Sequence, residues 1–214
     1  MDATEVEVRA VRDVGPATVA LELATPTGFD ARPGQFVQVR GEVDGEAVTR
    51  HYTLSSPSAD ETFEMTVGVD PEGDLSPWLA DRDPGDTVGV AGPYGDAYYE
   101  DEASVVVLAG GPGVGPAVGI GERAAADGND VTVVYRDEEP VHEDRLRALE
   151  AEGATVVMTT ESLSDDDHVR EVLSATDGQT FVYGFADFLA DAEDALAAAG
   201  HDPDAAKTEN FGPS

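Results

Sequence analysis

The hydrophobic rhythm of this chain changes once, near residue 100, and that change constrains the fold more than any single motif. Before it, six runs alternate or are rich in β-branched residues: "TEVEVRAVRDV", "TVALEL", "QFVQVR", "TRHYTLSS", "TFEMTVGV" and "DTVGVAG". Turn formers separate them at Gly15-Pro16, "TPTGFDARPG", "VDGEA", "SPSADE", "DPEGD" and "DPGD". Six strands on short connections predict an antiparallel β-barrel. One helical break, "DLSPWLAD", offers Ser76 as a cap and Pro77 for the first turn.

Beyond residue 100, short apolar strands alternate with amphipathic helices. "SVVVLAG" leads through "GPGVGP" into "AVGIGERAAADG"; "DVTVVYR", "ATVVMT" and "QTFVYG" follow, each with a helical segment after it. Strands this apolar are buried on both faces, as in a parallel sheet covered by helices. The expected organisation is a β-barrel domain over residues 1–99 and an α/β domain over 100–214, joined at "YYEDEAS".

Charge narrows the partners. The 214 residues carry 45 Asp and Glu against 12 Lys and Arg, a net charge of −33, and Lys207 is the only lysine. Self-repulsion of that size is relieved by concentrated salt, whose Debye length is about 3 Å at 1 M. The composition resembles that of proteins from a salt-rich cytoplasm, with an acidic mesophilic protein as the alternative. It holds no basic patch for nucleic acid or an anionic membrane. No run approaches the roughly 20 apolar residues that span a bilayer, and the acidic start reads straight into a strand. These features lead us to expect a cytoplasmic protein with no membrane insertion. Cysteine is absent, which removes thiol nucleophiles, thiolate zinc sites and cysteine-held iron–sulfur clusters. The four histidines show no ligand spacing and read as surface or helix-end residues, so no metal site is expected.

Two stretches carry chemistry. In "RHYTLSSPS", alternation sets Arg50, Tyr52 and Leu54 on one strand face, with His51 and Thr53 on the other. A fixed cation beside a flat aromatic is unusual on a β-domain strand and implies a partner for that face; a surface Arg next to a half-buried Tyr is the alternative. In "LAGGPGVGP", glycines end a parallel strand just before a helix, where unpaired N–H groups favour a pyrophosphate. Gly110, Gly111, Gly113 and Gly115 would let the backbone approach it, and Pro116 suits the first helical position. A tight strand–helix turn explains the same loop.

"RHYT", "GDLS", "GPYG", "GGPGVGP" and "ENFG", in this order and preceded by "FDARPGQFVQVR", resemble the ferredoxin–NADP reductase family of flavoproteins over nearly the whole chain. The resemblance implies a FAD-binding barrel joined to an NAD(P)-binding domain, with electrons passing from NADH or NADPH through FAD to a separate redox carrier such as ferredoxin or an oxygenase component. An electron-transfer subunit of a larger complex and a non-catalytic flavin- or nucleotide-binding sensor are the alternatives. It implies that Arg50 pairs with the flavin diphosphate, that Tyr52 stacks on the ring, and that Thr53 meets the hydride-accepting nitrogen, which requires the strand to bend. Gly73, Leu75 and Ser76 form the second flavin segment, and Val67 and Val114 are further cofactor contacts. Tyr183-Gly184-Phe185 stands where relatives have Cys-Gly-Pro beside the nicotinamide, and Pro112 stands where they have threonine. Glu209 and Phe211 match the terminal signature, which puts Glu209 near the reaction centre; simple solvation is the alternative. Arg136 is a candidate for a 2′-phosphate, but Asp137, Glu138 and Glu139 follow it, so the reading leans to NADH.

Overall fold

The computed structural model describes residues 3–212; the outermost ends of the two expected domains, residues 1–2 and 213–214, lie outside them. The first half forms six strands: β1 Thr4–Gly15, β2 Thr18–Ala24, β3 Phe36–Val43, β4 Glu46–Thr53, β5 Thr62–Gly68 and β6 Thr87–Tyr94. Their antiparallel order is β4-β3-β6-β1-β2-β5, and a bridge from Leu54 to Met65 joins the two outer strands and closes the barrel. Alternation fills the interior: Leu21, Leu23, Val37, Val39, Phe63 and Met65 are fully buried there. Each such side chain contributes about 1.5 to 3 kcal/mol by leaving water. Helix α1, Leu75–Ala80, plugs one end with Leu75 and Leu79.

The second half is a five-stranded parallel sheet ordered β11-β10-β7-β8-β9, with β7 Ser104–Gly110, β8 Asp130–Arg136, β9 Thr155–Thr159, β10 Gln179–Gly184 and β11 Lys207–Asn210. Helices α2 Val114–Ala126 and α3 Glu143–Ala151 cover one face; α4 Asp167–Ser174 and α5 Ala186–Ala199 cover the other. The side chains of β7 show why both faces must be apolar. Val105, Val107 and Ala109 meet α2, while Val106 and Leu108 meet the α4–α5 layer. The winding reverses between β7 and β10, so their carboxyl ends, Gly110 and Gly184, flank the crevice where such sheets hold ligands. The fold is the expected antiparallel barrel followed by a helix-covered parallel sheet. No helix among the described residues is long and apolar enough to cross a membrane.

Candidate flavin and nucleotide site

The ladder between β3 and β4 ends with Thr53 opposite Phe36. The next residue, Leu54, donates its N–H to Gln35 yet bridges Met65 on β5, and the Ser55 N–H goes to the Glu64 carbonyl. The chain changes partner at this point, and that bend turns Thr53 toward the same cleft as Tyr52. The cleft has a volume of about 450 Å³, ordinary for a small-molecule site, and is walled by Phe36, Tyr52, Thr66, Pro112, Phe185 and Phe211. Tyr52 is half-buried, and burial pushes its hydroxyl up to about 12, so it stays neutral.

Glu209 faces Tyr52 and Thr53 from the other domain. Strand β11 pairs in parallel with β10, Glu209 opposite Tyr183, which carries the carboxylate to the cleft. Thr53 Oγ donates to Glu209 Oε1 at 3.0 Å, while the buried Oε2 has no partner among the described residues. Burial pushes Glu209 up to about 7, with the Thr53 hydroxyl pulling the other way. An orphaned buried carboxylate oxygen is costly unless a donor meets it or a proton sits on it.

Arg50, two residues before Tyr52 on β4, has its side chain 57% exposed. It donates to the Thr49 carbonyl, and its nearest carboxylate among the described residues, Asp74, is 4.0 Å away. In a chain so rich in acid, that fork is almost unspent. The neighbouring segment differs from expectation in detail. Helix α1 starts at Leu75, so Ser76 lies inside the first turn rather than before it, and its Oγ accepts the Asp70 N–H at 3.1 Å. The reason is Leu75, whose side chain is anchored in the barrel core and leaves only its backbone to meet a ligand. Gly73 N–H is bonded to the Asp70 carbonyl. Val67 also points into the core; Thr66 and Gly68, its neighbours in alternation, line the cleft instead.

The glycine loop has two distinct parts. Gly111 takes φ +54°, a left-handed conformation that favours glycine, and stands open to within 4.0 Å of Asp137. Gly113 has ordinary dihedrals but no room: a Cβ there would run into the Tyr183 carbonyl. Gly110 packs on the Phe188 ring and Gly115 on Thr66. These three glycines serve close packing, and Gly111 gives the left-handed bend. A short 3-10 turn over Gly111–Gly113 precedes α2, so Pro116 falls third in the helix rather than first, still within its opening turn. The side chain of Val114 is buried and its N–H donates to the Gly111 and Pro112 carbonyls, so neither is free for a ligand.

Two expected contacts lie elsewhere. Arg136 Nη1 bonds Asp191 at 2.6 Å, and its guanidinium lies 5.2 Å from the Phe188 ring centroid, so it is committed to structure rather than free for a phosphate. Tyr183 is wholly buried, and its hydroxyl donates to the Ala97 carbonyl; burial, with Glu209 and Glu102 nearby, holds that hydroxyl well above the usual tyrosine range. Of the three residues only Phe185 lines the cleft, where it meets Phe211 edge-on at 6.1 Å, while Gly184 is buried against Phe188. His142, expected at the surface or at a helix end, caps the start of α3 but is only 4% exposed, with Nε2 2.7 Å from Thr66 Oγ; burial pushes it down to about 3. Strict alternation in "TFEMTVGV" would have found Thr66. No signal in the sequence marks the burial of His142.

Residues 5–99 match the oxidoreductase FAD-binding domain family. The chain is 44% identical over 95 residues to the glycine betaine monooxygenase reductase subunit of Chromohalobacter salexigens, covering 42% of this chain and 26% of that one. It is 32% identical over 220 residues to the ferredoxin reductase component of the 3-ketosteroid-9-alpha-monooxygenase of Mycobacterium tuberculosis, covering 91% of this chain and 61% of that one. The chain therefore spans about a quarter and about three fifths of these curated relatives. Among solved structures, the flavohem-like FAD/NAD-binding domain of nitric oxide dioxygenase from Vibrio cholerae superposes with a TM-score of 0.83, 24% identity and full coverage of both chains. Barrel, parallel sheet and cleft define a two-domain flavoprotein fold. Residues 5–99 carry the oxidoreductase FAD-binding domain, and the chain as a whole shares the two-domain fold of FAD- and NAD-binding reductases.

Proposed function

We propose that the protein is an NADH-dependent FAD oxidoreductase that passes electrons singly to a separate carrier, either a ferredoxin-type protein or an oxygenase component. The observation that carries this reading is the cleft itself, where Tyr52 and Thr53 of the barrel face Glu209 and Phe185 of the nucleotide domain. The residues present fit FAD: a flat aromatic wall, an orphaned acceptor at Glu209 Oε2, and an unspent guanidinium at Arg50.

When bound, FAD supplies the chemistry of accepting a hydride and releasing electrons one at a time. The chain supplies position. Arg50 would grip the diphosphate as a planar fork, and Tyr52 would support the ring face. Gly111 and the positive end of the α2 dipole would hold the dinucleotide phosphates. Phe185 and Phe211 keep water from the cleft, and Glu209 holds or releases a proton at Oε2 near neutral pH. The preference for NADH rests on Asp137, fixed by the Tyr135 hydroxyl at 3.1 Å, and on Arg136, already taken by Asp191. A 2′-phosphate would meet negative charge there with no free cation on Arg136. Both curated relatives are named as a subunit or a component, which supports a partner protein for this chain as well. The acidic composition supports a salt-rich cytoplasm.

The test is an anaerobic titration in concentrated KCl. After FAD is supplied, flavin absorbance should appear and bleach with NADH well before it does with NADPH. Protein that takes up no FAD would end the reading, and equal bleaching by both nucleotides would end the NADH preference.

A further inference from the structure

Behind the cleft the two domains meet along a seam whose polar groups form one connected cluster. Arg145, the third residue of α3, donates to Glu64 Oε1 at 2.9 Å, to the Ser55 carbonyl at 2.6 Å, and to both oxygens of Glu122 at 2.6 and 2.7 Å. Glu64 Oε1 also accepts the Ser55 hydroxyl at 2.9 Å, and its Oε2 accepts Arg12 at 2.6 Å. The Glu64 N–H donates to Ser56 Oγ at 3.1 Å. One guanidinium of the nucleotide domain thus holds the turn that follows Tyr52 and Thr53. Through Glu122 it also holds α2, the helix that opens at the glycine loop.

The packing leaves little slack around this cluster. A Cβ at Gly119 would sit 3.1 to 3.2 Å from backbone atoms of Ser55 and Ser56, and one at Gly115 would sit 3.1 Å from Thr66. The His142 N–H donates to the Val14 carbonyl at 2.9 Å, next to the contact between His142 and Thr66. Electrostatics works against the seam. Residues 1–99 carry 19 acidic side chains against 6 arginines, and residues 100–214 carry 26 against 6 cations. Two bodies of like sign repel, and the pair between Glu64 and Arg145 joins them with opposite charges.

We propose that Arg145 is a positioning residue for hydride transfer. By fixing the Ser55 turn against α2, it sets how closely the nucleotide loop presents its ligand to Tyr52 and Thr53. This inference rests on the reductase reading above. Transfer needs reacting atoms about 3 to 3.5 Å apart, and a misplacement of about 1 Å costs roughly a hundredfold.

The test uses the full chain loaded with FAD. Arg145→Lys keeps the charge but loses the fork, and should lower the limiting rate of flavin reduction by NADH roughly tenfold. Arg145→Gln should lower it roughly 30- to 100-fold. Flavin retention and the Kd for NADH should stay within about twofold, a split that simple loss of stability would not give. The deficit should be largest at about 0.1 M KCl and shrink above 1 M, where repulsion is screened. Because the chain has no cysteine, labels at Glu46→Cys and Glu193→Cys, both exposed, can report the distance between domains by pulsed electron resonance. That distribution should be narrow with Arg145 present and broader with Lys or Gln. Unchanged rates with an unchanged distribution would overturn the proposal, as would a rate loss matched by equal losses in flavin and NADH binding. If the parent protein binds FAD but neither nicotinamide bleaches it, the reductase reading falls. The distance distribution then decides the seam alone, and an unbroadened one in Arg145→Lys rejects it.

Discussion

The two stretches of the domain interface treat their polar groups in opposite ways. Along the seam, Arg145, Glu64, Ser55 and Glu122 are bonded to one another at 2.6 to 2.9 Å. At the cleft, Glu209 Oε2 is buried without a partner among the described residues, and on the same strand as Tyr52, Arg50 meets none of their carboxylates closer than 4.0 Å. Folding alone would favour satisfying both, because an unmet buried polar atom costs about 1 to 3 kcal/mol. The difference separates two tasks. The saturated stretch sets the angle between the domains, and the unsaturated stretch leaves bonding capacity for a ligand with an anionic tail and a polar ring.

Substitutions can break this contrast from either side. The largest expected effect is on the frame. In Gly113→Ala the new methyl meets the Tyr183 carbonyl, which is backbone and cannot rotate away. Overpacking of that kind should destabilise the protein by about 3 kcal/mol, measured by guanidinium unfolding in high salt. A loss below 1 kcal/mol would mean that the loop is not wedged against β10. Next comes the strand that carries Tyr52. Arg50→Ala should weaken FAD binding roughly 50-fold, about 2.3 kcal/mol, with unfolding unchanged within about 0.5 kcal/mol. A matching loss of stability without cofactor would place Arg50 in the frame after all.

Glu209 sharpens the contrast through pH. Its carboxyl lies at about 7 in the fold against an ordinary 4.5, so the folded chain keeps a proton that the unfolded chain releases. Stability from this group is therefore full below about pH 4.5, falls as pH rises to about 7, and stays low above that. The shift alone implies about 3 kcal/mol at 1.36 kcal/mol per unit; partial solvent access reduces this to about 2. Glu209→Gln keeps an acceptor for Thr53 and should be more stable than the parent at pH 8 by about 2 kcal/mol, with no gain at pH 4. Equal stability of the two proteins across that range would show that Oε2 is well solvated.

Much of the frame was legible in the sequence because it rests on local periodicity. "SVVVLAG", "DVTVVYR" and "QTFVYG" correspond to β7, β8 and β10 residue for residue, each an apolar run with sharp polar or glycine ends. Period-two alternation also separates Phe63, Met65 and Val67 in the core from Thr66 and Gly68 at the cleft, although the family pattern pointed to Val67. What stayed hidden depends on residues far apart in the chain. Arg136 is paired with Asp191, 55 residues away, and Arg145 with Glu64, 81 residues away, so neither commitment shows in a local pattern. Strand β11 is hidden for another reason. "KTEN" is short and polar, and it becomes a strand only because the edge of β10 offers it hydrogen bonds.

That edge strand yields the smallest prediction. Lys207, the only lysine of the chain, bonds Glu100 at 2.8 Å, Glu102 at 2.7 Å and the Tyr98 carbonyl at 2.9 Å, with its ammonium 5.2 Å from the Phe181 ring centroid. These contacts tie the start of β11 to the linker between the domains, two residues before Glu209. The side chain is 20% exposed, so the surrounding water limits the strength of the pairs. Lys207→Gln should cost about 1 kcal/mol at low ionic strength and much less in 2 M KCl, where the Debye length falls below the separation of the charges. A loss that does not change with salt would mean that the lysine acts through its apolar stem on Phe181 rather than through its charge. In that case β11 is held to the frame by packing, and the burial of Glu209 follows from that same packing.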